Sequence, residues 1–296
     1  MILEALLLMM GSASTGEATV NELASTCTVT DGDSCEEAGL AYAQGEKVPQ
    51  DWARATSLYG VGCSAQNAPS CIRLGLAHDK GQGVEKNAAS ASFYFQKACD
   101  LDSPTGCSNI GLSYAMGKGV MKDERRAASY FRRACDAGDN GGCSNLATAY
   151  VKGIGVRKDR NRAASLYEPA CGNGDANACF NLGVLHEKGW GVTREIAQAA
   201  RYYHQACDQD EGAGCGNLGL LHDKGKVGVR DHVQAVGLFR RGCSVAHAES
   251  CVNLGKAYLR GSGVQTDRVQ AEQFIRRAIA IDPHYRPAQR ALAKMR

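Results

Sequence analysis

The 296-residue chain has few aromatic residues and no excess of charge of either sign. Aromatic residues make up 6% of it, whereas alanine and glycine are plentiful, which favours closely packed helices with tight connections. Its 34 Lys and Arg residues against 31 Asp and Glu residues give a net charge of +3. A nucleic-acid-binding protein concentrates basic residues, so this composition predicts that nucleic acid is not a partner.

Long hydrophobic runs are also lacking. The only apolar run of note is MILEALLLMM at the start, which is too short to span a bilayer, so no membrane span is expected. Small residues follow this run as they follow the core of a secretory signal, but Glu4 stands where a signal carries Lys or Arg. Residues 1–16 are therefore either a shortened signal or an N-terminal helical fragment, and both interpretations stay open.

Cysteine, by contrast, is abundant and regularly spaced. The 14 cysteines form seven pairs, each eight residues apart, and each pair follows the last by 36 residues: Cys27 and Cys35, Cys63 and Cys71, Cys99 and Cys107, Cys135 and Cys143, Cys171 and Cys179, Cys207 and Cys215, and Cys243 and Cys251. Such a high, even count predicts an oxidising compartment, because thiols in the cytosol are kept reduced.

Other residues repeat in the same register of 36. Glycine recurs at 45, 81, 117, 153, 189, 225 and 261, and alanine at 55, 91, 127, 163, 199, 235 and 271. Within one unit, Leu146, Ala149 and Tyr150 have helical spacing, Gly153 and Gly155 end that helix, and an apolar stripe from Ala163 predicts a second helix. A helix pair this short needs neighbours to bury its apolar face.

The sequence therefore predicts an all-α protein, an α/α solenoid of stacked helix pairs. Seven repeats of 36 residues are expected over 17–278. Residues 279–296 are expected to form a capping helix without a crosslink, since Ile279 and Pro287 occupy the two cysteine columns.

The core N-L-G-x-x-Y/H-x-x-G-x-G-V, followed by A-x-x-x-F/Y, resembles Sel1-like repeats, which are related to tetratricopeptide repeats. The similarity covers residues 27–279 in seven registered copies. The paired cysteines resemble those of the disulfide-rich secreted branch, whose members are often labelled penicillin-binding proteins or weak β-lactamases. The resemblance implies an α/α superhelix that recognises other proteins.

Packing geometry favours a disulfide within each cysteine pair. Facing Cα atoms of antiparallel helices lie roughly 4–6 Å apart, which suits a disulfide. Pairing across 28 residues, such as Cys35 with Cys63, would leave Cys27 and Cys251 alone. Zinc sites favour Cys-x2–4-Cys spacing, and no Cys-x-x-Cys motif occurs, so metal binding and reduced thiols are minor alternatives. No metal and no cofactor are expected.

Catalytic motifs give little support to an enzyme. Serine penicillin-reactive enzymes need Ser-x-x-Lys, S-D-N and K-T-G, and none of the three occurs. A weak penicillin-binding or β-lactamase activity therefore rests on the resemblance alone. His78, His186 and His222 alternate with tyrosines in one column, and a position that accepts both residues is interpreted as a packing site.

A polar column is the candidate binding surface. Asparagine recurs two positions after the second cysteine of five pairs, at Asn109, Asn145, Asn181, Asn217 and Asn253, and basic residues follow two turns later at Lys152, Lys188 and Lys224. Carboxamides can donate to and accept from an extended peptide, and the lysines favour an acidic or carboxylate-terminated ligand. The alternative is that each asparagine braces the preceding loop.

Together these features predict a non-enzymatic adaptor, a monomer that presents a groove to a protein or peptide ligand. Its expected location is secreted or periplasmic, and the mitochondrial intermembrane space is the alternative.

Overall fold

The computed structural model describes residues 17–295, and over this range it contains helices and no strand. The expectation for residues 1–16 lies outside the described residues. A first helix, α1, covers residues 17–26. Fourteen helices follow, two in each of seven sequence repeats, and we call the two helices of one repeat a pair: α2 (Gly32–Gln44) with α3 (Trp52–Ser64), α4 (Ala68–Lys80) with α5 (Ala88–Asp100), α6 (Pro104–Met116) with α7 (Glu124–Asp136), α8 (Asn140–Lys152) with α9 (Arg160–Gly172), α10 (Ala176–Lys188) with α11 (Ile196–Asp208), α12 (Gly212–Asp223) with α13 (His232–Ser244), and α14 (Ala248–Arg260) with α15 (Arg268–Ile281). The last helix is α16 (Arg286–Ala293).

The predicted all-α solenoid of stacked helix pairs is confirmed. The chain forms two compact units, one of residues 17–149 with 154–157 and one of residues 150–153 with 158–295. In the first unit, the first helices of successive pairs contact each other, α2 with α4 and α4 with α6. In the second unit, α12 contacts α14, which contacts α16. None of the helices within residues 17–295 has the length and hydropathy of a membrane span.

Polar caps fix where the helices begin, and glycines fix where the first helices end. Asp159, for example, caps α9 by accepting from the backbone N–H of Arg162 at 3.0 Å. The first helix of most pairs ends at a left-handed glycine such as Gly81, with φ of 75°. In the sixth pair, the extra residue of the sequence GKVGV stays in the loop, and α12 has 12 residues instead of 13.

Seven disulfides crosslink consecutive helices, as the cysteine spacing predicts. Their Cα–Cα distances range from 4.4 to 4.7 Å. The bonds join Cys27 to Cys35, Cys63 to Cys71, Cys99 to Cys107, Cys135 to Cys143, Cys171 to Cys179, Cys207 to Cys215, and Cys243 to Cys251. No cysteine of the described residues is left free, so the alternatives of 28-residue pairing, metal binding and reduced thiols do not fit this structure.

Each disulfide joins the end of one helix to the start of the next pair. We call each such connection, from one pair's second helix to the next pair's first helix, a joint. In six joints the residue three positions after the first cysteine has positive φ, for example Asp102 at 59° and Gly138 at 87°. The chain turns sharply inside each of these disulfide loops.

Inside a pair, the two helices approach closely at a glycine. A Cβ atom built on Gly183 would lie 2.7 Å from the ring of Tyr203, which is fully buried. The same contact joins Gly219 to Phe239 and Gly75 to Phe95. This glycine therefore marks the crossing point in six of the seven pairs, and Ala147 stands at the same position in the fourth repeat.

The C-terminal end differs in detail from the expected capping helix over 279–296. Residues 279–281 complete α15, and α16 begins only at Arg286, because Asp282 has extended backbone angles and Pro283 follows it. The buried Ala271, Ile275 and Met295 form a small core here with Leu292 packed against it.

Candidate binding surface

The asparagine column lies on the first helices of the pairs. We call the side of these helices that carries it the A-face. In the first unit it holds Asn109 on α6 and Asn145 on α8, and in the second unit Asn181, Asn217 and Asn253 on α10, α12 and α14. All five asparagines are half-buried. The A-face thus carries two half-buried carboxamides in the first unit and three in the second.

The carboxamides have few partners within the protein. Asn217 hydrogen-bonds the hydroxyl of Tyr203. The Nδ2 atom of Asn253 is buried and has no hydrogen-bond partner among the described residues. Over residues 17–295, no hydrogen bond joins Asn109, Asn145 or Asn181 to a joint. An unpaired buried amide donor is costly, so the A-face carries unused hydrogen-bonding capacity.

A charged network surrounds Asn217. The Tyr203 hydroxyl donates to Glu187 Oε2 at 2.9 Å, and Glu187 Oε1 lies 3.4 Å from Lys226 Nζ and 3.9 Å from Lys188 Nζ. Partial burial raises the pKa of the Glu187 carboxyl, but the hydrogen bond from Tyr203 and the two lysines outweigh burial and hold the pKa below its usual value. Burial and the neighbouring Glu187 carboxylate raise the pKa of Tyr203. Glu187 is therefore ionised near neutral pH and neutralises part of the nearby lysine charge.

The three predicted lysines lie at the ends of first helices. Lys152 and Lys188 are the last residues of α8 and α10, Lys224 follows α12, and all three are exposed. Lys188 is near Glu187, whereas Lys152 and Lys224 have no ion pair among the described residues. A cation at a helix C-terminus also interacts favourably with the helix dipole, which is a structural reason for lysine at these positions.

In the first unit the A-face contains a cavity of about 190 Å³ beside Asn109. Leu76 and Asp79 of α4 line it together with Leu112 of α6. Lys118 closes one side through an ion pair with Asp79 of 2.5 Å. The cavity shows that neighbouring first helices leave a recess next to the asparagine column.

Sequence reasoning missed the acidic partners in these networks. The pairs Asp79–Lys118 and Glu187–Lys226 have the same spacing of 39 residues, and both connect the end of one first helix to the loop after the next. An acid followed 39 residues later by a base, in register with the repeat, is the signal that could have identified them.

Two of the three histidines of this column, His78 and His186, stack on a tyrosine. His78 stacks on Tyr94 with ring centroids 5.5 Å apart, and His186 stacks on Tyr202 at 5.4 Å, much as Tyr114 stacks on Tyr130 at 5.6 Å. Over residues 17–295, no group of three or more His, Cys, Asp or Glu side chains is placed to hold a metal ion.

Comparison with known proteins identifies the repeat. The family model described as "Sel1 repeat" matches six segments: residues 68–103, 104–139, 141–175, 176–211, 213–247 and 248–281. The pair α2–α3 lies before the first match and has the same helix lengths. No curated protein matches the chain by sequence.

Two solved structures with TM-scores above 0.5 have the same fold. A Sel1 repeat protein from Oxalobacter formigenes has a TM-score of 0.73 at 22% identity, over 98% of this chain and 90% of that one. The protective antigen c5321 of uropathogenic Escherichia coli has a TM-score of 0.61 at 24% identity over 90% of this chain. The chain spans only 64% of the length of that antigen. Helicobacter pylori cysteine rich protein B is 33% identical over 44% of this chain and 93% of its own, with a TM-score of 0.37.

Proposed function

Because the chain belongs to the Sel1 repeat family, whose members are protein-interaction scaffolds, we propose that it is a non-enzymatic adaptor that binds a segment of another protein. The binding surface is the A-face of the second unit, with Asn181, Asn217 and Asn253 as contact residues. The ligand is an extended, acidic or carboxylate-terminated peptide. No observation on the described residues favours the β-lactam alternative, which remains a prediction from the resemblance.

The buried Asn253 amide is the observation that carries this proposal. Its Nδ2 atom is shielded from solvent and has no partner among the described residues. Leaving such a donor unpaired costs about 1–3 kcal/mol. Once the side chain rotates so that Nδ2 reaches the surface, a peptide carbonyl that accepts from this amide recovers that energy on binding.

The register of the column suits an extended ligand. Asn181, Asn217 and Asn253 recur every 36 residues at the same position of successive first helices. Each carboxamide carries an acceptor and two donors, so it can bond to the N–H or the C=O of a peptide backbone. A ligand held in this way is recognised mainly through its backbone.

The bracing alternative is weakened because other residues brace the joints. The guanidinium of Arg133 donates to the carbonyl of Cys99 and to Asp102, both at 2.7 Å. Arg241 donates to Asp208 at 2.9 Å and Arg277 to the carbonyl of Ser244 at 3.2 Å. These arginines come from the second helix of the following pair, so the asparagines are left for another role.

The exposed lysines favour an acidic ligand. Lys224 has no ion pair within residues 17–295, and Lys188 shares Glu187 with Lys226. Negative charge on the ligand would accelerate its association and orient it along the A-face. Binding of this kind weakens as salt is added, because exposed charges are screened.

Seven disulfides indicate an oxidising, extracytoplasmic environment. Within that class we propose a secreted or periplasmic location, with the mitochondrial intermembrane space as the alternative, and a monomeric state. Sedimentation velocity of the purified protein tests whether it is a monomer. Fractionation of the producing cells tests whether it is secreted or periplasmic.

Fluorescence anisotropy tests the binding proposal. The probe is a fluorescein-labelled acidic peptide with the sequence Asp-Glu-Asp-Glu-Ala-Leu and a free carboxylate. We expect Asn181→Ala with Asn253→Ala to weaken binding about tenfold or more, while the melting temperature changes little. Gln209→Ala is the matched control, because this exposed amide lies at a joint and away from the A-face. Unchanged binding with a large loss of stability would assign the asparagines a structural role.

A further inference from the structure

A second cavity lies at the C-terminal end of the second unit, where α14, α15 and α16 meet, and its volume is about 460 Å³. Five basic side chains line it: Lys256, Arg260, Arg268, Arg290 and Lys294. Its apolar lining includes Leu259, Pro287 and Met295, and no carboxylate of the described residues contributes. The cavity is in the size range of small-ligand sites.

The positive charge of this cavity is largely uncompensated. Among residues 17–295, Lys256, Arg260, Arg290 and Lys294 form no ion pair. Arg268 donates to the backbone carbonyl of Met295, which is a neutral group. Like charges gathered around a cavity repel one another and raise the local concentration of anions. The cavity therefore favours the binding of a carboxylate.

The cavity also continues the A-face of the second unit. Asn253, with its unpartnered buried amide, lies one helical turn before Lys256 on α14. Arg260 occupies the column of Lys188 and Lys224, 36 residues after the latter. A peptide held at Asn253 would thus lie next to this group of cations.

We propose that this cavity binds the carboxyl-terminal residue of an acidic peptide. The α-carboxylate pairs with Arg290 and Arg260, and the apolar side chain of the same residue packs on Leu259 and Met295. Acidic residues that precede it meet Lys256 and Lys294. This assignment rests on the proposed A-face function and specifies where its ligand ends.

The combination of apolar and basic lining selects this ligand over other anions. A polyanion such as nucleic acid would use the cations but leave the apolar surface of Leu259 and Met295 unmatched. An internal acidic segment offers carboxylates but no apolar side chain on the carbon that carries the charge. In a peptide with an apolar last residue, the terminal Cα bears both groups, so one residue satisfies both parts of the cavity.

The experiment compares two fluorescein-labelled peptides of the sequence Asp-Glu-Asp-Glu-Ala-Leu, one with a free carboxylate and one amidated. We expect the free acid to bind about tenfold more tightly, the typical effect of one charge-assisted hydrogen bond. Arg290→Gln should remove this preference. Arg286→Gln is the matched control, because it removes the same charge from the same helix at a residue that does not line the cavity. The affinity of this variant for the free-acid peptide should stay within about twofold of the wild-type value.

The outcomes separate the two proposals. Equal binding of acid and amide, or equal losses from Arg290→Gln and Arg286→Gln, would overturn the cavity assignment. If Asn181→Ala still weakens binding in that case, the A-face proposal stands by itself. Conversely, a preference for the acid that Arg290→Gln abolishes and Asn181→Ala leaves intact would support the cavity and contradict the A-face. Competition by decanoate as effective as that by the peptide would identify a fatty-acid site and overturn the peptide assignment.

Discussion

Two joints of the chain differ in whether a disulfide closes them. One connects α5 to α6, and the other connects α15 to α16. Cys99 and Cys107 crosslink the first of these joints, with Cα atoms 4.4 Å apart. Ile279 and Pro287 stand at the same two positions of the second joint, which has no covalent link. The first is a closed loop of fixed geometry, whereas packing alone holds the second.

The backbone of the two joints differs accordingly. Asp102, three positions after the first cysteine, has φ of 59°, whereas Asp282 at the corresponding position has φ of −134°. The helix α6 begins three residues before Cys107, while α16 begins one residue before Pro287. The left-handed turn therefore accompanies the disulfide in this joint. Without the crosslink the chain takes an extended turn, and the basic cavity lies beside it.

Reduction of all seven disulfides should produce the largest change and remove the difference between the joints. Each short loop contributes roughly 2–3 kcal/mol in the chain-entropy model. Together they contribute about 14–21 kcal/mol, which is at or above the upper end of the net stability of a typical domain, about 5–15 kcal/mol. We expect the reduced, alkylated protein to lose cooperative thermal unfolding, measured by circular dichroism. A sharp transition near the original temperature would show that packing alone holds the crosslinked joints.

Removal of one disulfide should have a smaller and local effect. Cys99→Ala with Cys107→Ala should lower the free energy of unfolding by about 2–3 kcal/mol. Because repeats contact mainly their neighbours, hydrogen exchange should quicken in α5 and α6 and change little in α14. Faster exchange spread evenly over the chain would contradict an independent role for each joint.

Substitution of a glycine inside a pair tests helix packing independently of the disulfide joints. Gly219→Ala would place a methyl group 2.7 Å from the ring of Phe239 and should cost about 1–3 kcal/mol of stability. Gly237 of the neighbouring α13 has open space around it, so Gly237→Ala is the control and should stabilise by about 0.5–1 kcal/mol. Denaturant unfolding of both variants measures these effects. Equal changes in the free energy of unfolding would show that the close contact at Gly219 does not limit stability.

The last crosslinked joint should carry a small pH dependence. His247 is the N-cap residue of α14, and its Nδ1 atom lies 2.8 Å from Ser250 Oγ. Burial lowers the pKa of His247, while the nearby Glu249 and Glu211 oppose the shift. The unfolded chain therefore binds this proton more readily, and the stability from His247 is present above pH ~6.5 and is lost as the pH falls below it.

The variant His247→Asn removes the titrating group and keeps a capping side chain, since Asn67 is the cap at the equivalent position of α4. We expect the variant to lose less stability than the wild type between pH 7 and pH 5, measured by urea unfolding. Parallel losses in both proteins would show that His247 does not titrate on unfolding.

Local, periodic features of the fold could be predicted from the sequence. The cysteine pairs fix the joints because a disulfide needs only two residues at a set spacing on adjacent helices. The glycine after each first helix marks its end because the left-handed turn favours glycine.

Features that depend on side chains from separate helices could not be predicted. The ion pairs of Glu187 and Asp79 with lysines need the stacking geometry of neighbouring pairs, which the spacing within one repeat does not contain. Asp102 and Ala246 have positive φ although neither is glycine, so no residue type marks these left-handed turns in the sequence. The basic cavity depends on the position of α16, where the repeat pattern ends.

Peptide mapping of the purified protein by mass spectrometry, without reduction, tests the central claim that local disulfides set the positions of the first helices and their binding face. We expect seven crosslinks, each between cysteines eight residues apart, and no free thiol. Links across 28 residues, such as Cys35 with Cys63, or a majority of free thiols would contradict it.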